Sequence, residues 1–411
     1  MKERKHVARG ELAATTADGR RARHSAMEIE PEILLDVPLQ ARSLQRLSLR
    51  ERAKYRRARA LLSTGGGPRS LFLGDMPLNG LGVYEALLAR SWAVRFADPE
   101  EMVRLAEVAT EMAQGFDPRG YGKRRIFDLQ VRAWGELANA YRAADRLHSA
   151  QKTFGQAYSL LQQGTGDPYL KARLFDLEAS LLGTWREFPL ALRRLASLSG
   201  LYRDLGELHL AGRALIVQAL YSSYSGKAEE AIHVNEEGLE LIDRQRDPAL
   251  LMLAIHNHLL FLVDLELYIP AKRALFENRQ HLLYQDRVNA LKFRGIEARI
   301  SYGLGEWVSA EIAFREVKEG FEERGLSFAS ALICLELATV LMRQSKVEEA
   351  KREVIAARET FLSLAIYREY LGALIFLEDA FQRHEVTAEL IETTIAFLWR
   401  KELQIRPRLL R

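Results

Sequence analysis

The stretch WGELANAYRAADRLHSAQKTFGQA, residues 134–157, decides the expected fold. Its larger apolar and small residues follow the pattern W-x2-L-[GA]-x2-Y, which starts at Trp134, and then A-x3-F-x2-A, which starts at Ala150. Ala138 and Ala150 are small enough to let two antiparallel helices touch, while Trp134, Tyr141 and Phe154 would fill the seam to the next helical pair. The stretch therefore predicts a helical hairpin that stacks on similar neighbours.

The spacing of small residues extends this hairpin into an array. Repeat alanines separated by 41, 40, 40, 39 and 40 residues stand at Ala150, Ala191, Ala231, Ala271, Ala310 and Ala350. Most of them have a second small residue twelve positions earlier, at Ala138, Ala179, Ala219, Ala298 and Ala338. Leu259 interrupts this second series, so the fifth hairpin is expected to be splayed or shifted.

This pattern resembles the tetratricopeptide (TPR) repeat, with a step longer than the usual ~34 residues. The long step is similar to TPR arrays of bacterial regulators and signalling-peptide receptors. That resemblance covers residues 80–402 and implies a right-handed superhelix whose inner wall holds a peptide or protein. Phrases such as RAWGELANAYR (132–142) and EVKEGFEERGL (316–326) are similar to stand-alone bacterial TPR proteins, some encoded beside regulatory or defence genes.

The predicted class is therefore all-α, a TPR-like α-solenoid of about eight helical hairpins over residues 80–402. Residues 1–79 are expected to be a basic extension, disordered to about residue 37 apart from a short helix near residues 30–35. Ser48 and Glu51 form a capping-box pattern that opens a helix over 48–62, followed by a Gly/Pro linker with an apolar plug at residues 71–73. Residues 403–411 form a basic tail.

Composition limits the classes of function. Hydrophobic residues make up 48% of the chain and charged residues 28%, which is typical of a soluble, helix-rich protein. The formal net charge of +4 is small for a dedicated nucleic-acid protein, although arginines cluster in residues 42–59. A single cysteine excludes an internal disulfide, and neither a secretory signal nor a membrane-spanning run is present, so a cytoplasmic location is predicted.

The inner wall is the predicted site. Repeat geometry points one stripe of each first helix into the groove, and four units begin that stripe with a cation. The predicted groove residues are Arg132, Asn139, Arg142, Arg173, Ser180, Arg213, His256, Asn257, Lys292, Arg299 and Tyr302. A positive wall would favour an acidic segment, a C-terminal carboxylate or a phosphate. Carboxylates nearby would partly cancel this positive charge, at Glu136, Asp176, Asp264 and Glu336. The alternative is that the arginines form a solvated face with intrahelical ion pairs.

Asn139 and Asn257 have a more specific expected role. An asparagine on the inner wall can hydrogen-bond a peptide backbone through both its donor and its acceptor. TPR peptide clamps and signalling-peptide receptors use asparagine in this way, which is what the resemblance implies. The alternative for both residues is a polar contact between helices.

No cofactor, metal site or catalytic group is predicted. His256 and His258 lie two residues apart and face different sides of a helix, so they cannot share a metal as an i, i+4 pair could. The glycine-rich residues 65–70 lack the Gly-Lys-Ser/Thr of a phosphate loop, and Cys334 is expected to be a small core residue. Trp134, Trp307 and Phe154 are expected to lie in the core.

Two functions remain open. The first is a non-enzymatic regulatory scaffold or sensor that binds a peptide or protein partner in its groove. The alternative is a nucleic-acid-associated transcriptional regulator whose arginine-rich helix contacts phosphates, through Arg50, Arg52, Lys54, Arg56 and Arg57. An enzyme is the least favoured class, because no reactive constellation is found.

Overall fold

The computed structural model describes residues 38–64, 68, 71, 79–282, 287–363 and 368–405, which contain helices and no strand. The first helices along the chain are α1 (Pro38–Gln45), α2 (Leu49–Ser63), α3 (Leu81–Ala93), α4 (Pro99–Gln114), α5 (Pro118–Tyr121), α6 (Lys123–Ala143), α7 (Leu147–Leu161), α8 (Pro168–Thr184), α9 (Phe188–Asp204) and α10 (Leu208–Tyr224). They are followed by α11 (Ala228–Leu241), α12 (Pro248–Asp264), α13 (Tyr268–Glu277), α14 (Arg279–Leu282), α15 (Arg287–Gly303), α16 (Trp307–Glu322), α17 (Ser327–Arg343), α18 (Val347–Ser363), α19 (Arg368–Gln382) and α20 (Ala388–Ile405).

The long helices follow one another along the chain as eight helix–turn–helix pairs in the described residues, so the predicted all-α helical-repeat fold is confirmed. The two helices pack on each other in seven of these pairs, α3/α4, α6/α7, α8/α9, α12/α13, α15/α16, α17/α18 and α19/α20. The remaining pair, α10 and α11, is consecutive in sequence. The chain forms two compact units, one spanning Leu35–Tyr221 and the other built mainly from Ser222–Arg411. The boundary between them falls in the last turn of α10.

The alanines that define the repeat are buried, as their packing role requires. Ala138 and Ala150 are fully buried, and the same holds for their equivalents in the later hairpins. Phe154 and Cys334 are also core residues, as predicted. Trp307 is not, because it is the first residue of α16 and leaves 39% of its surface exposed.

The same backbone conformation ends the first helix in seven of the eight helix pairs. A single residue adopts the left-handed conformation at Asp145, Arg186, Gly226, Glu266, Gly305, Ser345 and His384. The next N–H then donates to a carbonyl five residues earlier, as Arg146 N does to Tyr141 O at 2.8 Å. This is the 6→1 bond of a Schellman motif, and it satisfies a carbonyl that the helix end would leave unpaired. Glycine occupies the position twice, at Gly226 and Gly305.

The helix starts follow local sequence rules. Asp167 and Asp247 each precede a proline and cap α8 and α12, accepting from the backbone N–H of Tyr169 and Leu250 at 2.9 Å. Ser48 caps α2 by accepting from Glu51 N at 3.2 Å. The Glu51 carboxylate does not complete the predicted capping box, because it accepts from Gly82 N at 2.7 Å instead.

The fifth hairpin differs from its neighbours in its second helix. Leu259 is fully buried in α12, where other hairpins have alanine. The partner helix α13 ends at Glu277 after 10 residues and is the shortest second helix among the described hairpins.

The ends of the chain depart from the sequence prediction in one respect. Helix α1 (Pro38–Gln45) was not predicted, and it packs against α3 and α8. The predicted disordered segment, the short helix near residues 30–35 and residues 406–411 of the tail lie outside the described residues. Of the predicted apolar plug, Leu71 is described and is buried.

Candidate functional site

The predicted groove residues lie on the first helices of five hairpins, and we call their common side the first-helix face of each unit. In the unit Leu35–Tyr221 the face is carried by α6, α8 and α10, and in the other unit by α12 and α15. Most of these side chains are buried and polar, an arrangement that requires paired charges or hydrogen bonds.

In the first unit, buried arginines of this face are paired with carboxylates of neighbouring helices. Arg132 Nη1 donates to Glu85 Oε1 at 2.7 Å, across α6 and α3. Arg173 on α8 donates to both carboxylate oxygens of Glu136 on α6, at 2.8 and 3.0 Å. Arg213 Nη2 on α10 donates to Asp176 Oδ2 on α8 at 2.9 Å. We call these three pairs the arginine ladder.

The ladder changes the predicted electrostatics. Its arginines expose 5%, 4% and 3% of their surface, in the order Arg132, Arg173 and Arg213, and each guanidinium is matched by a carboxylate. The positive wall expected from the sequence is therefore neutralised at these positions. The expected alternative, intrahelical pairs on a solvated face, also differs from the structure, because the ladder pairs are buried and run between helices.

Burial and pairing act in opposite directions on the ladder arginines. Burial alone lowers the pKa of the Arg132 guanidinium, but the charge of Glu85, with Tyr84 and Glu136, raises it above the ordinary value overall. The pKa of Arg173 is also raised, because Glu136 outweighs the effect of burial. Both arginines therefore stay charged inside the unit, and each depends on its carboxylate.

Asn139 and Arg142 form a second polar contact on α6. The Asn139 side-chain carbonyl accepts from Arg142 Nε at 3.0 Å, and Arg142 Nη1 reaches Thr184 Oγ1 at 3.5 Å. Within the described residues the Asn139 amide nitrogen finds no acceptor, although the residue is only 1% exposed. Ser180 differs, since its hydroxyl donates to Asp176 O of its own helix at 3.1 Å. The Asn139 amide nitrogen therefore has both N–H donors unused among the described residues.

The second unit fills the same face differently. His256 and Asn257 are buried in α12. The His256 ring packs edge-on against the Phe293 ring of α15, with the ring centroids 5.5 Å apart. The Asn257 amide nitrogen has no acceptor among the described residues. Lys292 on α15 is buried as well. Lys292 therefore supplies the leading cation of the stripe in this unit.

Arg299 and Tyr302 take part in ion pairs of their own. Arg299 Nε donates to Glu336 Oε2 at 2.8 Å, so the arginine here lies on the earlier helix, the reverse of the ladder. Arg343 Nε donates to the Tyr302 hydroxyl at 3.0 Å, and that hydroxyl bonds Glu392 of α20. Burial raises the pKa of Tyr302 to about 12. Helix α20 therefore crosses onto the first-helix face at α15 and α17.

Helix α1 and the residue after it contact the corresponding face of the first unit. The Arg42 guanidinium stacks over the Tyr169 ring at 3.6 Å, and Arg132 Nη1 donates to Ser43 Oγ at 3.0 Å. Arg46 approaches Asp167 at 4.0 Å. Residues 42–46 of the chain itself thus lie on α6 and on the start of α8.

Sequence reasoning missed Glu85, the α1 contacts and the contact of Tyr302 with α20. A signal for part of the ladder was nevertheless present. The pairs Glu136–Arg173, Asp176–Arg213 and Arg299–Glu336 are each separated by 37 positions, slightly less than one repeat. Opposite charges at that spacing indicate contact between successive first helices. Glu85 breaks the spacing at 47 positions, since α5 is inserted before α6.

The predicted phosphate-binding residues lie elsewhere, on α2. Arg50, Arg52, Arg56 and Arg57 are exposed, and Lys54 is partly buried. Helix α2 packs against α3 through Ala58 and Leu62, so this surface belongs to the first unit. It is separate from the residues assigned to the first-helix face.

The remaining chemical groups show no reactive arrangement in the described residues. Burial raises the pKa of the Cys334 thiol to about 12, which disfavours the nucleophilic thiolate. Burial lowers the pKa of His258. Among the described residues, no cluster of three His, Cys, Asp or Glu side chains is placed to hold a metal ion. None of the described helices combines the length and apolar character needed to cross a membrane.

Comparison with known proteins supports the fold. No family model and no curated protein matches the chain. The crystal structure of the apo form of RapI is similar, with a TM-score of 0.57 and 14% sequence identity, over 89% of this chain and 98% of RapI. A circular tandem repeat protein aligns over 98% of the chain, but the TM-score of 0.18 is too low to indicate a shared fold. The chain is a helical-repeat protein whose fold resembles that of RapI.

Proposed function

We propose that the chain is a non-enzymatic regulatory scaffold or sensor that binds a peptide or protein partner on its first-helix faces. The observation that carries this proposal is the pair of buried amide donors, Asn139 Nδ2 and Asn257 Nδ2, that have no acceptor among the described residues. An unpaired buried donor costs about 1–3 kcal/mol, and a peptide carbonyl would remove that cost. The likeness to the apo form of RapI supports a fold suited to ligand binding.

The burial of both asparagines constrains how a partner would bind. Each exposes 1% of its surface, so a peptide would reach the amide only after neighbouring side chains move. In the first unit those neighbours include Arg142, whose Nε donates to the Asn139 side-chain carbonyl. A partner with a carboxylate would have to draw an arginine away from its own acidic partner, and we therefore propose recognition of the peptide backbone before recognition of charge.

The test is selection of peptides from a displayed random library against the full-length chain, followed by calorimetric titration of the selected peptides. Asn139→Ala and Asn257→Ala are each expected to weaken a peptide bound at that residue about 10-fold, the equivalent of one hydrogen bond. Asn278→Ala is the matched control, because the Asn278 amide already donates to Ala274 O at 2.8 Å.

The control should bind like the unchanged chain. If selection yields no peptide, or if the selected peptides are insensitive to both asparagines, the proposal is wrong. Ser180→Ala adds a second check on the face itself, because its hydroxyl is satisfied within α8 and its loss should leave affinity unchanged.

A further inference from the structure

Helix α2 is fixed to the first unit along one side. Ala58 is fully buried, Leu62 is nearly so, and both belong to the core shared with α3 and α4. Gly82 of α3 approaches so closely that an added Cβ would lie 2.0 Å from the Glu51 carbonyl oxygen. Together with the bond from Gly82 N to the Glu51 carboxylate, this contact sets the rotation of α2 about its own axis. The opposite side of the helix must therefore face away from α3.

Four arginines on the outward side have no internal partner in the described part of the chain. Arg50, Arg56, Arg57 and Arg59 are exposed, and their guanidinium groups form no ion pair, hydrogen bond or ring contact with described residues. Two other cations of α2 are already engaged. Arg52 donates to the carbonyls of Leu47 and Gln45 at 3.1 and 2.8 Å, and Lys54 pairs with Glu51 at 2.9 Å. We call the four unpaired residues the arginine face.

The helical repeat divides the arginine face into two rows. Successive residues turn by about 100°, so Arg56 and Arg59 fall on one flank of the outward side and Arg50 and Arg57 on the other. Ala53 and Ala60 occupy the ridge between the rows and are exposed. The outward side of α2 is thus a narrow ridge of small side chains between two rows of guanidinium groups.

This arrangement matches two parallel rows of phosphates. Guanidinium groups bind phosphate through paired, charge-assisted hydrogen bonds, and the duplex major groove, about 12 Å wide, admits one α-helix between its phosphate walls. Alanine has no side-chain donor or acceptor with which to distinguish base edges. We propose that the arginine face binds double-stranded DNA through its phosphates, with little preference for sequence, at a surface separate from the first-helix face.

A membrane surface fits this helix less well. Membrane-surface helices bury a broad stripe of bulky apolar residues, whereas the ridge here carries Ala53 and Ala60 and, at its start, the single leucine Leu49. The exposed Leu49 and Leu61 lie at opposite ends of α2 and do not form such a stripe. Glu51 is the one acidic residue in α2, and its carboxylate is committed to Gly82 and Lys54, so it does not offset the outward charge.

The experiment is fluorescence anisotropy of a short, labelled, random-sequence DNA duplex titrated with the full-length chain at about 50 and about 200 mM salt. Four phosphate contacts predict a slope near −3.6 in log affinity against log salt, which is a loss of roughly 100-fold between these concentrations. Changing all four arginines to alanine should abolish the salt-dependent binding. Changing two of them, Arg56→Ala with Arg57→Ala, should reduce the slope by about 2.

The matched control changes four exposed arginines outside α2, namely Arg193, Arg244, Arg246 and Arg273, to alanine. It alters net charge equally and should keep the slope. Equal loss in this control, equal affinity for a single strand of the same length, or no duplex binding at the lower salt concentration would each overturn the proposal. So would binding to phosphatidylserine vesicles without binding to the duplex. Circular dichroism of the four-arginine variant should match that of the unchanged chain, because these side chains support no internal contact.

Discussion

The first-helix faces of the two units are built on the same repeat but are filled by different chemistry. In the unit Leu35–Tyr221, three arginines in succession pair with a carboxylate on the preceding first helix. In the other unit, Arg299–Glu336 has the opposite order, and His256 and Asn257 occupy the buried stripe of α12. The backbone periodicity therefore fixes where a side chain lies, and the individual residue decides whether that position is structural or available to a partner.

Breaking a ladder pair is expected to have the largest effect on stability. Arg173→Met leaves the Glu136 carboxylate buried without its partner and should cost about 3–5 kcal/mol of unfolding free energy. The counterpart in the second unit, Arg299→Met, should cost less, about 2 kcal/mol, because the Arg299 side chain is 19% exposed against 5% for Arg173. Hydrogen exchange of the backbone amides in α8 and α15, measured at increasing denaturant concentration, gives the free energy of unfolding of each unit separately.

The joint change Glu136→Leu with Arg173→Met distinguishes pairing from packing. Replacing both charges by apolar groups should recover most of the loss, because no unpaired charge remains. If Arg173→Met proves no more costly than Arg299→Met, the ladder does not distinguish the two units energetically.

Close packing against glycine is expected to have the next largest effect. A Cβ at Gly183 of α8 would lie 2.1 Å from the Tyr221 hydroxyl oxygen, and a Cβ at Gly303 of α15 would lie 2.3 Å from the Tyr268 ring. Gly183→Ala and Gly303→Ala should therefore each cost about 2–3 kcal/mol through displacement of a tyrosine. Thermal unfolding monitored by circular dichroism measures both.

Gly200→Ala is the control for this comparison. Apart from the nearby backbone of its own helix, no atom lies within 4 Å of a Cβ added at Gly200, which lies towards the C-terminal end of α9. The change should stabilise the protein by about 0.5–1 kcal/mol, because alanine is the better helix former. Destabilisation at Gly200 equal to that at Gly183 would show that the tyrosine contact is not the cause.

The fold was predictable because it depends on small residues at a fixed interval, which are visible in a single sequence. The repeat alanines, with the small residues twelve positions before most of them, are sufficient to predict the hairpins. The filling of the face was only partly predictable. The sequence places Arg173 and Glu136 near each other on the predicted wall, but their pairing shows only in the 37-position spacing of opposite charges between successive first helices. The contacts of Arg42 and Ser43 could not be predicted, because α1 carries no repeat pattern that would place it on α6 and α8.

The pH dependence of stability should show a smaller effect, centred on Glu311 of α16. Burial tends to raise its pKa, but hydrogen bonds from Lys346, Arg315 and Gln344 lower it to about 2, against an ordinary value of 4.5. A lowered folded-state pKa stabilises the protein above pH 4.5, and this contribution is lost as the pH falls towards 2. After allowance for partial solvation, Glu311→Gln should cost about 1–2 kcal/mol at neutral pH.

Denaturant midpoints at several pH values test this expectation. The difference between Glu311→Gln and the unchanged chain should narrow as the pH falls below 4.5. Glu349→Gln is the matched control, since Glu349 binds the same Arg315 at 2.8 Å but its side chain is 39% exposed. A difference that stays constant across the pH range would mean that the Glu311 charge does not stabilise the second unit.

The smallest expected effects concern the left-handed turn residue, which both units share. Arg186 in the first unit and Glu266 in the second adopt φ values of 62° and 58°, where a Cβ is strained. Arg186→Gly and Glu266→Gly should each stabilise the protein by about 0.5–1 kcal/mol, after the greater freedom of glycine in the unfolded chain is subtracted. Gly226→Ala, at φ 78°, should destabilise by a similar amount, about 1 kcal/mol. Equal increases in the thermal unfolding midpoint for Arg186→Gly and Glu266→Gly would show that the two units have equivalent turns. The units would then differ in the side chains of their first-helix faces. A gain in one unit alone would show that the turns differ as well.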